Sequence, residues 1–251
     1  MRTKIILIGL GILTLILGVY FIMQKYYKEE NELQVIKETK PDKADDYDDR
    51  ILTSKGYEIT NVDDAYYVDG YLIVNKTYSI ANTWLPSNPQ NEITSATQIC
   101  KDCLDKEAWE AWSRMKADAT SLGLNIYIAS AYRSYSYQSG LYNGYISKYG
   151  NKEADTFSAR PGHSEHHTAL AFDLNSVTTA FAATSEGKWV NNNAYLYGFI
   201  IRYPENKNHE TGYMYEPWHL RFVGLKLAKD LYNNGDWLSM EYYFGITSEY
   251  S

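Results

Sequence analysis

Hydrophobic and polar positions divide the chain into three regimes. Ile5 to Met23 is a run of 19 residues without a charge, flanked by Arg2 and Lys4 in front and Lys25 and Lys28 behind. As a helix rising about 1.5 Å per residue it would span roughly 28 Å, close to a bilayer core. No small-x-small cleavage site follows it and no cysteine stands there for a lipid. Residues 1–4 therefore read as a cytoplasmic N-terminus and residues 5–23 as an uncleaved transmembrane anchor, with a cleaved signal as the alternative. The flanking lysines nearly balance, so charge alone sets the orientation only weakly. Residues 24–65 are charged, poor in large apolar side chains and carry Asp45-Asp46 and Asp48-Asp49. That composition predicts a flexible linker with a mean reach of about 35 Å.

From Tyr66 to the end the pattern becomes that of a folded domain. Two short strand-like runs surround Asp69-Gly70, a hairpin signal. Leu104, Ala108, Trp112, Met115, Ala119 and Leu122 recur at steps of three and four, which predicts an amphipathic helix ending near Gly123. Residues 125–131 alternate, with Ile126 and Ile128 on one face, and read as a central strand. Residues 136–149 look helical and stop at Gly150. Residues 169–174 predict a strand with Ala169, Ala171 and Asp173 on one face and Leu170, Phe172 and Leu174 on the other. A helix from Glu186 to Tyr197, a strand from Phe199 to Tyr203 and a helix from Leu225 to Asn233 complete the reading. The expected class is α+β, an antiparallel sheet bearing a chemical site on one face with helices packed behind it.

Composition narrows the function. A hydrophobic content of 45% is enough for a core, and a net charge of −7 argues against nucleic acid as partner. The 25 tyrosines suit a sugar- or peptide-facing surface, or simple compositional drift. Cys100 and Cys103 form the one Cys-x-x-Cys. With no second pair for a zinc knuckle and no βαβ context for redox chemistry, a local disulfide outside the cytoplasm is the favoured reading.

The candidate chemistry lies in Ser164-Glu165-His166-His167-Thr168-Ala169-Leu170-Ala171-Phe172-Asp173 and, downstream, Glu216-Pro217-Trp218-His219. A zinc hydrolase needs about three His, Asp or Glu ligands, an open fourth position and a base that does not bind the metal. His166, Asp173 and His219 would be the ligands of one zinc ion and Glu216 the base. Pro217 biases Glu216 toward an extended backbone, which predicts a stiff turn. His163 and His167 are rival ligands that a helix would place together, and the Pro161-Gly162 lead argues for extended structure instead. Arg133, at the end of a predicted strand, suits a bidentate carboxylate clamp.

These segments resemble the zinc D-alanyl-D-alanine carboxypeptidases of the VanY-like group, whose signature is Ser-x-His-x-x-Gly-x-Ala-x-Asp followed by Glu-x-Trp-His. The resemblance runs from about Leu72 onward and includes Val74-Asn75-Lys76, Ser130 to Ser134, Phe157 to Gly162, Tyr197-Gly198-Phe199 and Arg202-Tyr203-Pro204. Ala169 departs from it by standing where the family has glycine, a strain if that position needs a positive φ. The resemblance implies that residues 66–251 are a carboxypeptidase domain cutting before the C-terminal D-alanine of peptidoglycan stem peptides. It assigns substrate contacts to Arg133, Gln138, Ser164 and Tyr203, and Trp218 is expected to pack against the site and orient His219. An L,D-carboxypeptidase on tetrapeptide stems and a wall-binding module with a structural metal are the alternatives. The expected setting is a monomer held at the cell membrane, its domain facing the wall.

Overall fold

Four strands open the folded unit: β1 (Ile51–Leu52), β2 (Glu58–Val62), β3 (Ala65–Val68) and β4 (Tyr71–Ile73), paired antiparallel in that order. They belong to a computed structural model that describes residues 50–250. The apolar stretch 5–23 lies outside the described residues, among which no helix is long and apolar enough to cross a membrane. Residues 50–65, expected as linker, are part of this sheet instead. The reason they read as linker is physical: β2 is exposed along nearly its whole length, so no apolar alternation marks it. Backbone pairing to β3 holds it, and Tyr57 packs edge-on against Phe244 at 5.2 Å. The β3–β4 hairpin turns at Asp69-Gly70 as expected, both with positive φ.

The remaining strands are β5 (Ile99–Cys100), β6 (Ile128–Ser130), β7 (Tyr132–Arg133), β8 (Ala171–Leu174), β9 (Phe199–Ile201) and β10 (His219–Phe222). The site-bearing sheet has the order β6-β8-β10-β9 and is antiparallel, while β5 and β7 pair separately. Among the described residues two further sheets thus accompany the expected antiparallel site sheet, and β6 is an edge strand rather than a central one. A register shift between Ile128 and Ser130 breaks the regular pairing with β8, which resumes at Ser130 opposite Asp173, and the chain then continues as β7 paired to β5.

Helix α1 (Lys106–Ser121) covers the apolar face of this sheet. Asp105 caps it by accepting from the Glu107 and Ala108 amides. Its stripe Ala108, Ala111, Trp112, Met115 and Ala119 is buried, and Phe172 meets Trp112 and Phe199 edge-on, each at 5.2 Å. Burying a side chain of that size is worth about 1.5–3 kcal/mol, enough to decide which face of β8 turns inward. Helices α2 (Tyr135–Tyr149) and α3 (Asn151–Phe157) follow Arg133; α4 (Ser185–Asn193), α5 (Asn208–Thr211), α6 (Gly224–Tyr232) and α7 (Met240–Phe244) complete the unit. Cys100 and Cys103 form the expected disulfide.

The stretch before β8 is not extended. Residues Glu165–Thr168 form a 3-10 turn, and Ala169 closes it with φ 59° and ψ 12°. The left-handed conformation costs a non-glycine residue about 1–2 kcal/mol. Against this, the Ala169 methyl is fully buried beside Ile93, Cys103 and Tyr132, worth about 0.8 kcal/mol. Alanine also restricts the unfolded chain by about 0.4–1 kcal/mol relative to glycine. The terms nearly cancel, so Ala169→Gly should move the urea-unfolding free energy by less than about 1 kcal/mol; a loss above about 2 kcal/mol would mean the methyl is a packing requirement.

Candidate active site

Strand register brings Asp173 and His219 together. They are directly opposed in the β8–β10 pair, on the face away from Phe172 and Leu220. His219 begins β10 after a tight turn in which its amide donates to the Glu216 carbonyl, while the Glu216 amide donates to Tyr203. This is the stiff turn expected from Pro217. His166 comes from the 3-10 turn, and its Nδ1 bonds the Ala131 carbonyl at 2.6 Å, leaving Nε2 to face Asp173. The neighbouring His167 bonds the Arg133 carbonyl through Nδ1 and accepts from the Gly162 amide at Nε2. Both its nitrogens are used, so it is no ligand. His163 is turned to the Asn75 carbonyl. The 3-10 turn, rather than the expected extended backbone, points consecutive histidines apart.

The donor geometry fits a metal. One donor atom each from His166, Asp173 and His219 lie within 4.8 Å of one another, and all three residues are buried. His219 Nδ1 is 3.2 Å from Asp173 Oδ1, and His166 Nε2 is 3.4 Å from Asp173 Oδ2. Tetrahedral ligands about 2.0–2.1 Å from a zinc ion stand about 3.3–3.4 Å apart. His166 Nε2 and Asp173 Oδ1 are buried without a hydrogen-bond partner. Such atoms are costly unless something else meets them. Two imidazoles and a carboxylate form a donor set suited to zinc.

Glu216 stands beside this set, its Oε2 3.7 Å from His219 Nδ1. Arg133 lies across from it, Nη2 3.6 Å from Asp173 Oδ2 and Nη1 donating to Gln138 Oε1 at 3.1 Å. Gln138 in turn donates to the Ala159 carbonyl, so its amide holds the guanidinium in place. Arg133, Gln138, Ser164, Tyr203, Glu216 and Trp218 line one cavity of about 470 Å³ with the three metal-ligand candidates. Every residue proposed from the sequence for the site is therefore in one place. Leu141, Tyr145, Phe157 and Met214 add an apolar wall that no motif announced.

The electrostatics set these groups apart. Burial opposes ionisation of Asp173, but His166 and His219 hold its carboxyl well below the usual range. Burial and the Arg133 charge lower His166 to about 4, keeping its ring neutral for ligation. His219 is opposed by burial yet raised to about 9 by Asp173 and Glu165. Burial pushes Glu216 up to about 8, partly countered by His219. A divalent cation beside Glu216 would favour its carboxylate form.

Glu165 is the residue that sequence reasoning passed over. It is buried and accepts from Arg202 Nε at 2.7 Å and Arg221 Nη1 at 3.2 Å, both guanidiniums also buried. Arg202 further donates to Glu241, which accepts from Asn75. The available signal was two arginines, Arg202 just after the apolar run of β9 and Arg221 within β10, each among large apolar residues.

The profile of the VanY family, D-alanyl-D-alanine carboxypeptidase, matches residues 101–225. YodJ of Bacillus subtilis (strain 168), named a putative carboxypeptidase, is 42% identical over 181 residues, covering 68% of this chain and 66% of that protein. The chain thus spans just under two thirds of that relative's length. The LdcB LD-carboxypeptidase structure superposes with a TM-score of 0.64 at 38% identity, over 77% of this chain and 95% of that one. A VanY D,D-pentapeptidase variant from a VanB-type resistance cassette, in complex with Zn(II), gives 0.54 at 28% identity, over 68% and 96%.

Two outcomes follow from the geometry. By chelator competition, Asp173→Ala and His219→Ala should each weaken zinc binding by more than about 100-fold, while Glu216→Gln should keep it. Unchanged affinity in Asp173→Ala would remove that residue from the ligand set. With metal chelated, Glu216 and His219 bind protons more tightly folded than unfolded. Their stabilisation is fully present below their ordinary values of 4.5 and 6.5 and is lost as pH rises through about 8 and 9. His166, at about 4, has the opposite sign and costs stability below 6.5. Melting temperature of the chelated protein should therefore fall between about pH 6.5 and 9; a flat or rising profile would contradict these shifts.

Proposed function

The chain belongs to the VanY family of D-alanyl-D-alanine carboxypeptidases, and from that membership we propose a zinc-dependent enzyme that removes the C-terminal D-alanine of peptidoglycan stem peptides. The observation that carries this reading is the convergence of His166 Nε2 and Asp173 Oδ1, buried and unpartnered, with His219 Nδ1 beside an uncommitted Glu216. One zinc ion held by His166, Asp173 and His219 would supply a Lewis acid that acidifies water and polarises the scissile carbonyl. Glu216 takes the water proton and delivers it to the leaving amine, first as general base and then as general acid. Arg133, braced by Gln138, faces the same space with a buried Nε that has no partner. It holds the terminal carboxylate or the oxyanion that develops on the carbonyl. Tyr203 and Trp218 flank the His219 side of the cavity, and Ser164 offers a hydroxyl at its wall.

The family profile, described as D-alanyl-D-alanine carboxypeptidase, supports a D,D-carboxypeptidase as the first reading. A second reading, an L,D-carboxypeptidase on tetrapeptide stems, is supported by the larger share of this chain that the LdcB structure covers. The apolar stretch 5–23 would anchor the enzyme with its domain outside the cytoplasmic membrane, where the Cys100–Cys103 disulfide is chemically at home.

Incubation of the purified protein with pentapeptide and tetrapeptide stems tests both readings. D-alanine release should stop with chelator, return with zinc, and fall by about 10²–10⁴-fold in Glu216→Ala. Pentapeptide cleavage alone supports the D,D reading and tetrapeptide cleavage alone the L,D one. Chelator-resistant release, or wild-type rates in Glu216→Ala, would reject the mechanism.

A further inference from the structure

Glu165 is buried to 2% exposure and divides its carboxylate unequally. Oε1 takes both arginine contacts, from Arg202 and Arg221. Oε2 has no hydrogen-bond partner and lies 3.5 Å from His219 Nε2, which is also buried and unpartnered. At that distance the contact is long for a hydrogen bond, yet each atom is the other's nearest available complement. The opposite ring nitrogen, Nδ1, is the one that faces Asp173 and Glu216.

We propose that Glu165 is a positioning residue: it draws the Nε2–H of His219 and so fixes the tautomer whose Nδ1 lone pair is offered to the metal. Neutral imidazole carries one N–H and one lone pair, so the partner of one nitrogen decides what the other can do. A carboxylate behind a ligating histidine also locks the ring orientation and raises its basicity. A purely structural ion pair would place both oxygens on the guanidiniums. Here Arg202 already has a two-pronged contact with Glu241, at 2.6 and 2.9 Å, and Glu165 keeps one oxygen for the imidazole. Because Arg202 and Arg221 clamp Oε1, the carboxylate cannot rotate away without leaving a buried cation unpaired.

The inference rests on the metal-site reading and is tested separately from turnover. Zinc affinity of the full chain would be measured by competition with a chromophoric chelator for wild type, Glu165→Gln and Glu241→Gln, with circular dichroism to establish folding. In Glu165→Gln the amide oxygen is claimed by the arginines and the NH₂ meets Nε2–H, so zinc Kd should rise about 10–100-fold. Glu241→Gln removes an Arg202 partner without facing His219 and should change Kd less than about threefold. A folded Glu165→Gln protein with wild-type affinity, or equal losses in both variants, would overturn the positioning role. Should Glu165→Gln not fold, long-range ¹H–¹⁵N spectra of the zinc-loaded wild type decide: Nε2 protonated and Nδ1 ligating supports the proposal, and the reverse overturns it. Wild type without zinc affinity would overturn the metal reading and this role together.

Discussion

The opposition of Asp173 and His219 across two antiparallel strands is the constraint from which the rest of the site follows. Side chains alternate along a strand, so a one-residue slip between β8 and β10 would send one of the pair into the apolar layer with Phe172 and Leu220. Register is held from both sides. Phe172 is locked between Trp112 and Phe199, and β10 is pinned to β9 as well as β8. Packing on one face of the sheet thereby fixes chemistry on the other. His166 needs no strand, because the 3-10 turn and its bond to the Ala131 carbonyl bring it over the pair.

That polar face is expensive. Glu165, Arg202, Arg221 and Glu241 are buried charges, and desolvating ions costs several kcal/mol each unless geometry and hydrogen bonds return it. The network answers by balancing two carboxylates against two guanidiniums and by tying Arg221 to the Leu72 carbonyl. The result links the first sheet, through the Leu72 carbonyl, to the site sheet and the C-terminal helix α7. Removing one member leaves its partner unpaired in a dry interior, so the cluster specifies a single arrangement of these elements more than it adds net stability.

Much of this was legible in the chain. The α1 stripe, the hairpin at Asp69-Gly70, the disulfide, the turn at Pro217 and the set His166, Asp173, His219 and Glu216 were readable because each is local: a period, a turn, or a spacing with a chemical reason, whereas Gln138, Ser164 and Tyr203 came from the family resemblance alone. What escaped was non-local or unpatterned. The β2 strand has no buried face to leave an imprint, and β6 reads as central because apolar alternation does not say how many neighbours a strand has. The 3-10 turn was hidden by the same Pro161-Gly162 lead that suggested extended backbone. Glu165 was hidden by its position between two named motif residues, where its arginine partners lie 37 and 56 positions away. Ala169 did show the expected tension, since its positive φ is the conformation that glycine supplies without strain.

Diffraction data collected at the zinc absorption edge from crystals grown with zinc would test the account at its centre. A single anomalous peak within bonding distance of His166 Nε2, an Asp173 carboxylate oxygen and His219 Nδ1, with Glu216 close by but outside the ligand set, is the predicted result. A peak elsewhere, or none while these side chains keep the positions described, would contradict it.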